Sequence, residues 1–277
     1  MRARVNQSPL VIAVAPNGAL KTKADHPGLP VTPEEIAHAA RRCLDAGASM
    51  MHLHVRDAQG RHSLEADHYA AAISAIQRVV GDELVIQVTS EAAGVYDCEQ
   101  QIGHMRRVRP EAISLALREF AAETNDLRQT AGFFKWLADE HVVSQYILFS
   151  EDDLQLYRDL MTRGVVPDNP HWLLFVLGRY DTGFTSSPVS LLPFLICRQD
   201  DTPWAVCAFG RNEHVSAACA ATLGGHVRLG FENNLYLKDG RKAVSNDQLI
   251  MQMTDVAGAI GRPLAKAEDL RRMFRYD

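Results

Sequence analysis

Short runs of apolar, β-branched residues alternate along this chain with longer, Ala-rich segments whose apolar positions recur every three to four residues. Leu10-Val11-Ile12-Ala13-Val14-Ala15 is apolar without a break, the pattern of a strand covered on both faces. A Gly- and Pro-rich loop follows over 16–30. Thr32 then stands as an N-cap, with Pro33 at the first helical position and Glu35 three residues on, so a capping box opens a helix that ends at Gly47. The same beat predicts strands over 50–55, 84–89, 112–117, 142–149, 171–177, 204–209 and 226–231. It predicts helices over 66–80, 97–108, 124–140, 151–163, 187–198, 213–223 and 245–261, with a terminal helix over 267–275. Eight strand–helix units without a linker predict an α/β fold, one (β/α)8 TIM barrel over 1–277 with a C-terminal helical extension. No Gly-x-Gly-x-x-Gly follows the first strand, so a dinucleotide-binding sheet is not signalled.

Composition changes this picture little. The chain has 277 residues, 47% hydrophobic and 23% charged, enough for a sizeable core. A formal charge of -5 argues against nucleic acid as the main partner. Five widely spaced cysteines, with no Cys-x-x-Cys, read as thiols in a reducing compartment rather than a disulfide framework. Arg2 and Arg4 lead into an apolar run too short for a signal peptide or a membrane span, so a cytoplasmic protein is expected.

Chemistry concentrates at the predicted carboxyl ends of strands, where such barrels carry their active sites. In Met51-His52-Leu53-His54-Val55-Arg56-Asp57, strand alternation turns His52 and His54 to one side and Leu53 and Val55 to the other. Two neutral imidazoles at this spacing suit zinc or a similar divalent ion. The plainer alternative is that they are satisfied core histidines. A third ligand is available where the eighth strand runs into Phe231-Glu232-Asn233-Asn234, and Arg228 offers a planar fork for a carboxylate. A structural Arg228–Glu232 ion pair is the competing reading there.

These stretches resemble the β-keto acid cleavage enzyme family. The resemblance is carried by His26-Pro27-Gly28-Leu29-Pro30-Val31-Thr32-Pro33-Glu34-Glu35, by His52-Leu53-His54-Val55-Arg56-Asp57 and by Gly224-Gly225-His226-Val227-Arg228-Leu229-Gly230-Phe231-Glu232. Weaker matches lie at Ile86-Gln87-Val88-Thr89, Gly210-Arg211 and Gly261-Arg262-Pro263. The resemblance implies a zinc barrel, typically a homotetramer, that takes a β-keto acid and acetyl-CoA to acetoacetate and a new acyl-CoA through a retro-Claisen step. It implies His52, His54 and Glu232 as metal ligands, Thr89 and Ser114 as contacts to the keto acid, and Arg228 as an arginine working beside an acidic partner.

Three departures stand against that pattern. The family usually carries Asp directly after the ligand Glu, as catalytic base; here it is Asn233, and an amide cannot accept a proton. Ile147 stands where the fifth strand commonly offers Glu, and Leu20 where the type enzyme reads its substrate's amino group with an acid. Leu20 and Ile147 together predict a pocket wall suited to a neutral or apolar substrate tail. Candidates for the missing base are Glu91, Glu119, Glu151, Asp181 and a metal-bound hydroxide, with Glu91 first because it follows Thr89 and Ser90 at a strand end. Arg106, Arg107 and Arg109 read as a solvated helix end, whereas Arg211 and His214, after the seventh strand, are candidates to touch CoA. The lost Asp keeps two alternatives open: a metal-dependent hydrolase or lyase on the same barrel, and a non-catalytic metal-binding relative.

Overall fold

The computed structural model describes residues 8–180, 183, 185–198 and 200–274. Among these residues, eight parallel strands close into a barrel: β1 (Ile12–Val14), β2 (Met50–Leu53), β3 (Val85–Thr89), β4 (Ala112–Ala116), β5 (Val143–Leu148), β6 (His171–Leu177), β7 (Trp204–Ala208) and β8 (His226–Leu229). Each strand pairs with its neighbours in sequence, and β8 closes onto β1 with Ala13 opposite Arg228. The (β/α)8 expectation is met.

The outer layer is α1 (Pro33–Asp45), α2 (Ala66–Val80), α3 (Cys98–Val108), the short α4 (Leu117–Phe120), α5 (Leu127–Asp139), α6 (Glu151–Thr162), α7 (Leu192–Cys197), α8 (Glu213–Thr222), α9 (Asn246–Ala259) and α10 (Ala267–Met273). The predicted capping box forms at α1: Thr32 Oγ1 accepts from Glu35 N at 3.3 Å, and the Glu35 carboxylate accepts from Thr32 N at 3.2 Å. Two expectations are corrected. The second strand stops at Leu53; Val55–Arg56 leaves the barrel and pairs antiparallel with His62–Ser63. The helix expected over 187–198 is a 3-10 turn, Pro188–Leu191, followed by the six-residue α7, with Pro193 near its start.

Alternation along the strands sorts the core into two layers. Ile12, Val14, Met51, Leu53, Ile86, Val88, Ile113 and Leu115 pack outward under the helices. Val11, Ala13, Met50, Val85, Ala112, Trp172 and Leu174 fill the barrel. α10 sits across the amino ends of the strands, where Leu270 and Phe274 join the inner cluster and the Phe274 and Trp172 ring centroids lie 5.4 Å apart. That end is sealed, so access to the interior is from the carboxyl ends. Among the described residues no helix is long and apolar enough to cross a membrane.

Candidate active site

The inward row of β2 continues upward from Met50 to His52 and then His54, both buried. Their rings meet edge to face with centroids 4.9 Å apart, and their Nε2 atoms approach to 3.1 Å. His52 Nδ1 lies 2.9 Å from Gln87 Oε1 on β3, and Gln87 Nε2 donates to Gln145 Oε1 on β5 at 3.2 Å. Gln87 Oε1 can only accept, so His52 carries its proton on Nδ1 and presents a bare Nε2. Burial, with Arg228 adding to it, lowers His52 to about 4, and burial with His52 beside it holds His54 well below the usual value. Both rings are therefore neutral near pH 7, the form that binds a metal.

Glu232 is brought over the barrel by a tight loop. Gly230 has φ +141°, and a Cβ there would lie 2.3 Å from Ala15 O, so a side chain would prevent the loop from packing on the end of β1. Ala15 O in turn accepts from Glu232 N at 3.1 Å. Glu232 Oε2 then lies 3.6 Å from His52 Nε2 and 3.7 Å from His54 Nε2, buried and without a hydrogen-bond partner. The ligand atoms of the three residues all fall within 4.8 Å of one another. Zinc bonds of roughly 2.0–2.1 Å in a tetrahedral set separate nitrogens by about 3.3 Å, close to this spacing. The bare His52 Nε2, the facing His54 Nε2 and an orphaned carboxylate oxygen turned toward one point fit a divalent cation better than one another.

Arg228, also buried, points Nη2 at Glu232 Oε1 from 3.5 Å and at Cys207 Sγ from 3.4 Å, while Nε and Nη1 have no partner. It lines a small inner cavity of about 50 Å³ together with Thr89, Ser114 and Ile147. A wider cavity of about 730 Å³ opens outward past Leu20, Lys21, Arg211, Asn233 and Tyr236. Glu91, Arg179, Phe209 and Glu232 line both. Leu20 and Ile147 were expected on one wall; they stand in separate chambers, with Leu20 61% exposed at the outer one. Ser114 Oγ is unpartnered, whereas Thr89 Oγ1 accepts from Glu91 N at 3.0 Å and so shapes the turn that carries Glu91.

Of the candidate bases, Glu91 is beside the His52–His54–Glu232 cluster. Its Oε2 is 3.8 Å from His54 Nε2 and its Oε1 is 3.7 Å from Arg179. Burial, reinforced by Glu232, pushes its carboxyl up to about 7. Glu119 reaches the inner cavity, yet its Oε2 already accepts from Ala92 N and Gln101 Nε2 at 3.1 and 2.7 Å. Glu151 is an exposed acid in the first turn of α6 and lines neither cavity. Asp181 lies outside the described residues. Arg106 and Arg109 stack on Trp136 at 5.5 and 6.0 Å, in the outer layer. Arg211 lies 3.8 Å over the Tyr236 ring at the wider cavity, which His214 does not line.

Several site residues escaped the sequence reading. Gln87 was findable, being two positions before Thr89 on the same strand face. Lys21 and Arg179 come from loops without any period. Lys21 Nζ donates to the backbone oxygen of Glu232, and its own burial lowers its pKa. Glu213, fully buried, was hidden as an ordinary first-turn acid of α8.

Comparison with known proteins now bears on this geometry. The family described as beta-keto acid cleavage enzyme matches residues 9–275. A 3-keto-5-aminohexanoate cleavage enzyme of Acetoanaerobium sticklandii is 29% identical over 268 residues, covering 96% of this chain and 97% of that protein. A 3-oxoadipate:acetyl-CoA acetyltransferase of Cupriavidus necator is 27% identical over 271 residues, covering 96% and 94%. Among solved structures, apo ObcA superposes with a TM-score of 0.66 at 18% identity, over 90% of this chain and 65% of that one. A type I 3-dehydroquinate dehydratase from Clostridium difficile gives 0.60 at 8% identity, over 94% and 95%. These two show the barrel fold alone.

Proposed function

The chain belongs to the β-keto acid cleavage enzyme family, and from that premise we propose that it converts a β-keto acid and acetyl-CoA into acetoacetate and a new acyl-CoA. The balance is complete without another reactant. The C2–C3 bond of the keto acid breaks, C2 joins the acetyl carbonyl carbon, and the CoA sulfur takes the released acyl group. The observation that carries the reading is the convergence of His52, His54 and Glu232 within 4.8 Å, beside the unpartnered guanidinium nitrogens of Arg228.

In this reading His52, His54 and Glu232 hold zinc or another divalent ion. When bound, the ion supplies fixed positive charge that polarises a carbonyl oxygen. Arg228 clamps the keto acid's carboxylate, because its free N–H groups are buried where a planar anion would satisfy them. Ser114, with a free hydroxyl, hydrogen-bonds the same substrate, and Thr89 holds the turn beside it. Glu91, reaching the cluster from β3's end, is the base that takes the C2 proton and returns it to C2 of acetoacetate when the acyl group leaves; its raised pKa suits proton transfer near neutrality. Asn233 orients bound groups and takes no proton. The wider cavity, of about 730 Å³, receives the thioester end of acetyl-CoA.

The substrate tail is neutral or apolar. Ala116, Ile147 and Val176 line the inner chamber, and Leu20 stands at the outer one. Ile147 offers a cationic tail no partner, and Glu119 in the same chamber already accepts from Ala92 N and Gln101 Nε2. Asn233 favours a second reading, a metal-dependent hydrolase or lyase that uses no acetyl-CoA. Purified protein supplied with zinc and a panel of β-keto acids separates the two. Acetoacetate formed only when acetyl-CoA is present supports the transfer. Keto-acid consumption that ignores acetyl-CoA overturns it.

A further inference from the structure

Glu213 has no place in the roles assigned above. It opens α8, is 1% exposed, and accepts three hydrogen bonds. Gly230 N donates to Oε1 at 3.1 Å, Asn233 Nδ2 to Oε1 at 3.4 Å, and Asn234 Nδ2 to Oε2 at 3.2 Å. All three donors belong to the loop that carries Glu232. A single buried carboxyl thus fastens that loop at three points.

The contact also decides which way the Asn233 amide faces. Nδ2 donates a second time, at 3.3 Å, to the Arg228 carbonyl, which can only accept. Turning the amide over would set Oδ1 against that carbonyl and a carboxyl oxygen together. The oxygen therefore faces away from both, and it is buried without a partner in a residue that lines the wider cavity. A carboxylate at 233 would meet the same obstacle, since two carboxyl groups about 3.4 Å apart cannot both stay ionised. Position 233 can carry an amide here because position 213 carries the acid.

We propose that Glu213 and Asn233 form one coupled carboxyl–amide unit, in which Glu213 is a positioning residue that aims Asn233 Oδ1 at a hydrogen-bond donor of the bound substrate. The carboxyl missing from 233 is kept one step behind it. The identity of the ligand rests on the reading above, whereas the coupling does not. Burial pushes Glu213 up to about 8 against the pull of its donors, so this position tolerates little additional negative charge.

The test is a four-member cycle: wild type, Glu213→Gln, Asn233→Asp, and the double variant that exchanges acid and amide. Each is measured at pH 9, above the folded value of Glu213, for thermal midpoint and for kcat and KM of acetoacetate formation with acetyl-CoA and the best keto acid of the panel. Glu213→Gln alone offers an amide N–H to a loop that already donates, so kcat falls about tenfold while KM changes less. Asn233→Asp alone falls at least as far. In the double variant the new amide at position 213 donates to the new carboxylate at position 233, and kcat returns to within about threefold of wild type. A fall in kcat larger than any change in KM, restored by the exchange with the wild-type pH profile, is what neither a purely structural role nor a new base at position 233 would produce. An unchanged kcat in Glu213→Gln, or a double variant no better than the product of the singles, overturns the proposal. If wild type forms no acetoacetate, the transfer reading fails by itself. The thermal midpoints then decide the coupling: recovery in the double variant supports it and additive losses overturn it.

Discussion

The two ends of this barrel are built to opposite rules. At the amino end, Val11, Met50, Val85, Trp172, Leu270 and Phe274 interlock. The polar groups there are mostly paired: His226 Nδ1 accepts from Val11 N at 3.1 Å, and Arg262 Nη1 donates to Ala221 O and Gly225 O at 2.9 and 2.6 Å. Ser49 Oγ and Trp172 Nε1 are exceptions. At the carboxyl end, Asn17 Oδ1, His54 Nδ1, Ser114 Oγ, Arg228 Nε and Nη1, Glu232 Oε2 and Asn233 Oδ1 are all buried without a protein partner. Each such group costs about 1–3 kcal/mol if nothing binds it. The sealed end thus supplies stability and the open end withholds it, leaving polar groups ready for a ligand.

The comparison breaks most visibly at His52, His54 and Glu232. His52→Ala is expected to abolish stoichiometric zinc binding and to reduce acetoacetate formation at least about 10³-fold, with the fold retained. Elemental analysis alongside the rate checks this; a full zinc equivalent in the variant contradicts it. At the other end, Leu270→Ala should lower unfolding free energy by about 2–5 kcal/mol and leave zinc content unchanged. Urea unfolding measures the first and elemental analysis the second. Equal damage to both would erase the distinction between the ends.

Much of this architecture was legible because β1 and β7 are unbroken apolar runs and β6 is one after His171, and the bounds 66–80 expected for one helix are those of α2 (Ala66–Val80). The pairing of His52 with His54 follows from alternation on β2, and Glu232 from the family pattern. What was not legible depends on contacts distant in sequence. The ladder from His52 through Gln87 to Gln145 exists because β2 sets His52 opposite Gln87, and the stagger of the barrel strands brings Gln145, which pairs through Ser114 with Thr89, within reach of Gln87. The ribbon that holds His62 Nε2 at 2.8 Å from Glu91 O has strands of two residues, too short to show a period. Glu213 looks like any acid favoured by a helix dipole until the loop of Asn233 and Asn234 is folded over it.

Acidity separates the two ends with opposite signs. Glu213 has its folded value at about 8 against an ordinary 4.5, so its stabilising contribution is present below 4.5 and is lost as pH rises through about 8. His226 has its folded value at about 3 against 6.5, so its contribution is present above 6.5 and is lost as pH falls toward 3. Urea unfolding from pH 4 to 9 should show Glu213→Gln losing less than wild type on the alkaline side. His226→Asn, which keeps an acceptor for Val11 N, should lose less on the acid side. Unaltered slopes in either variant would remove that residue from the account.

The smallest expected effect concerns selectivity. Ile147→Glu should move the preference about tenfold toward a keto acid with a cationic amino tail, read as the ratio of kcat/KM for charged and neutral tails. No movement would mean that the tail does not reach the inner chamber.

The central claim is that the open end joins the acetyl group of acetyl-CoA to a keto acid's two-carbon unit. Acetyl-CoA labelled with ¹³C at both acetyl carbons, turned over with an unlabelled β-keto acid, tests it most directly. Transfer gives acetoacetate carrying both labels at C3 and C4, with an unlabelled acyl group on CoA. Unlabelled acetoacetate, or loss of the keto acid with labelled acetyl-CoA left intact, would contradict it.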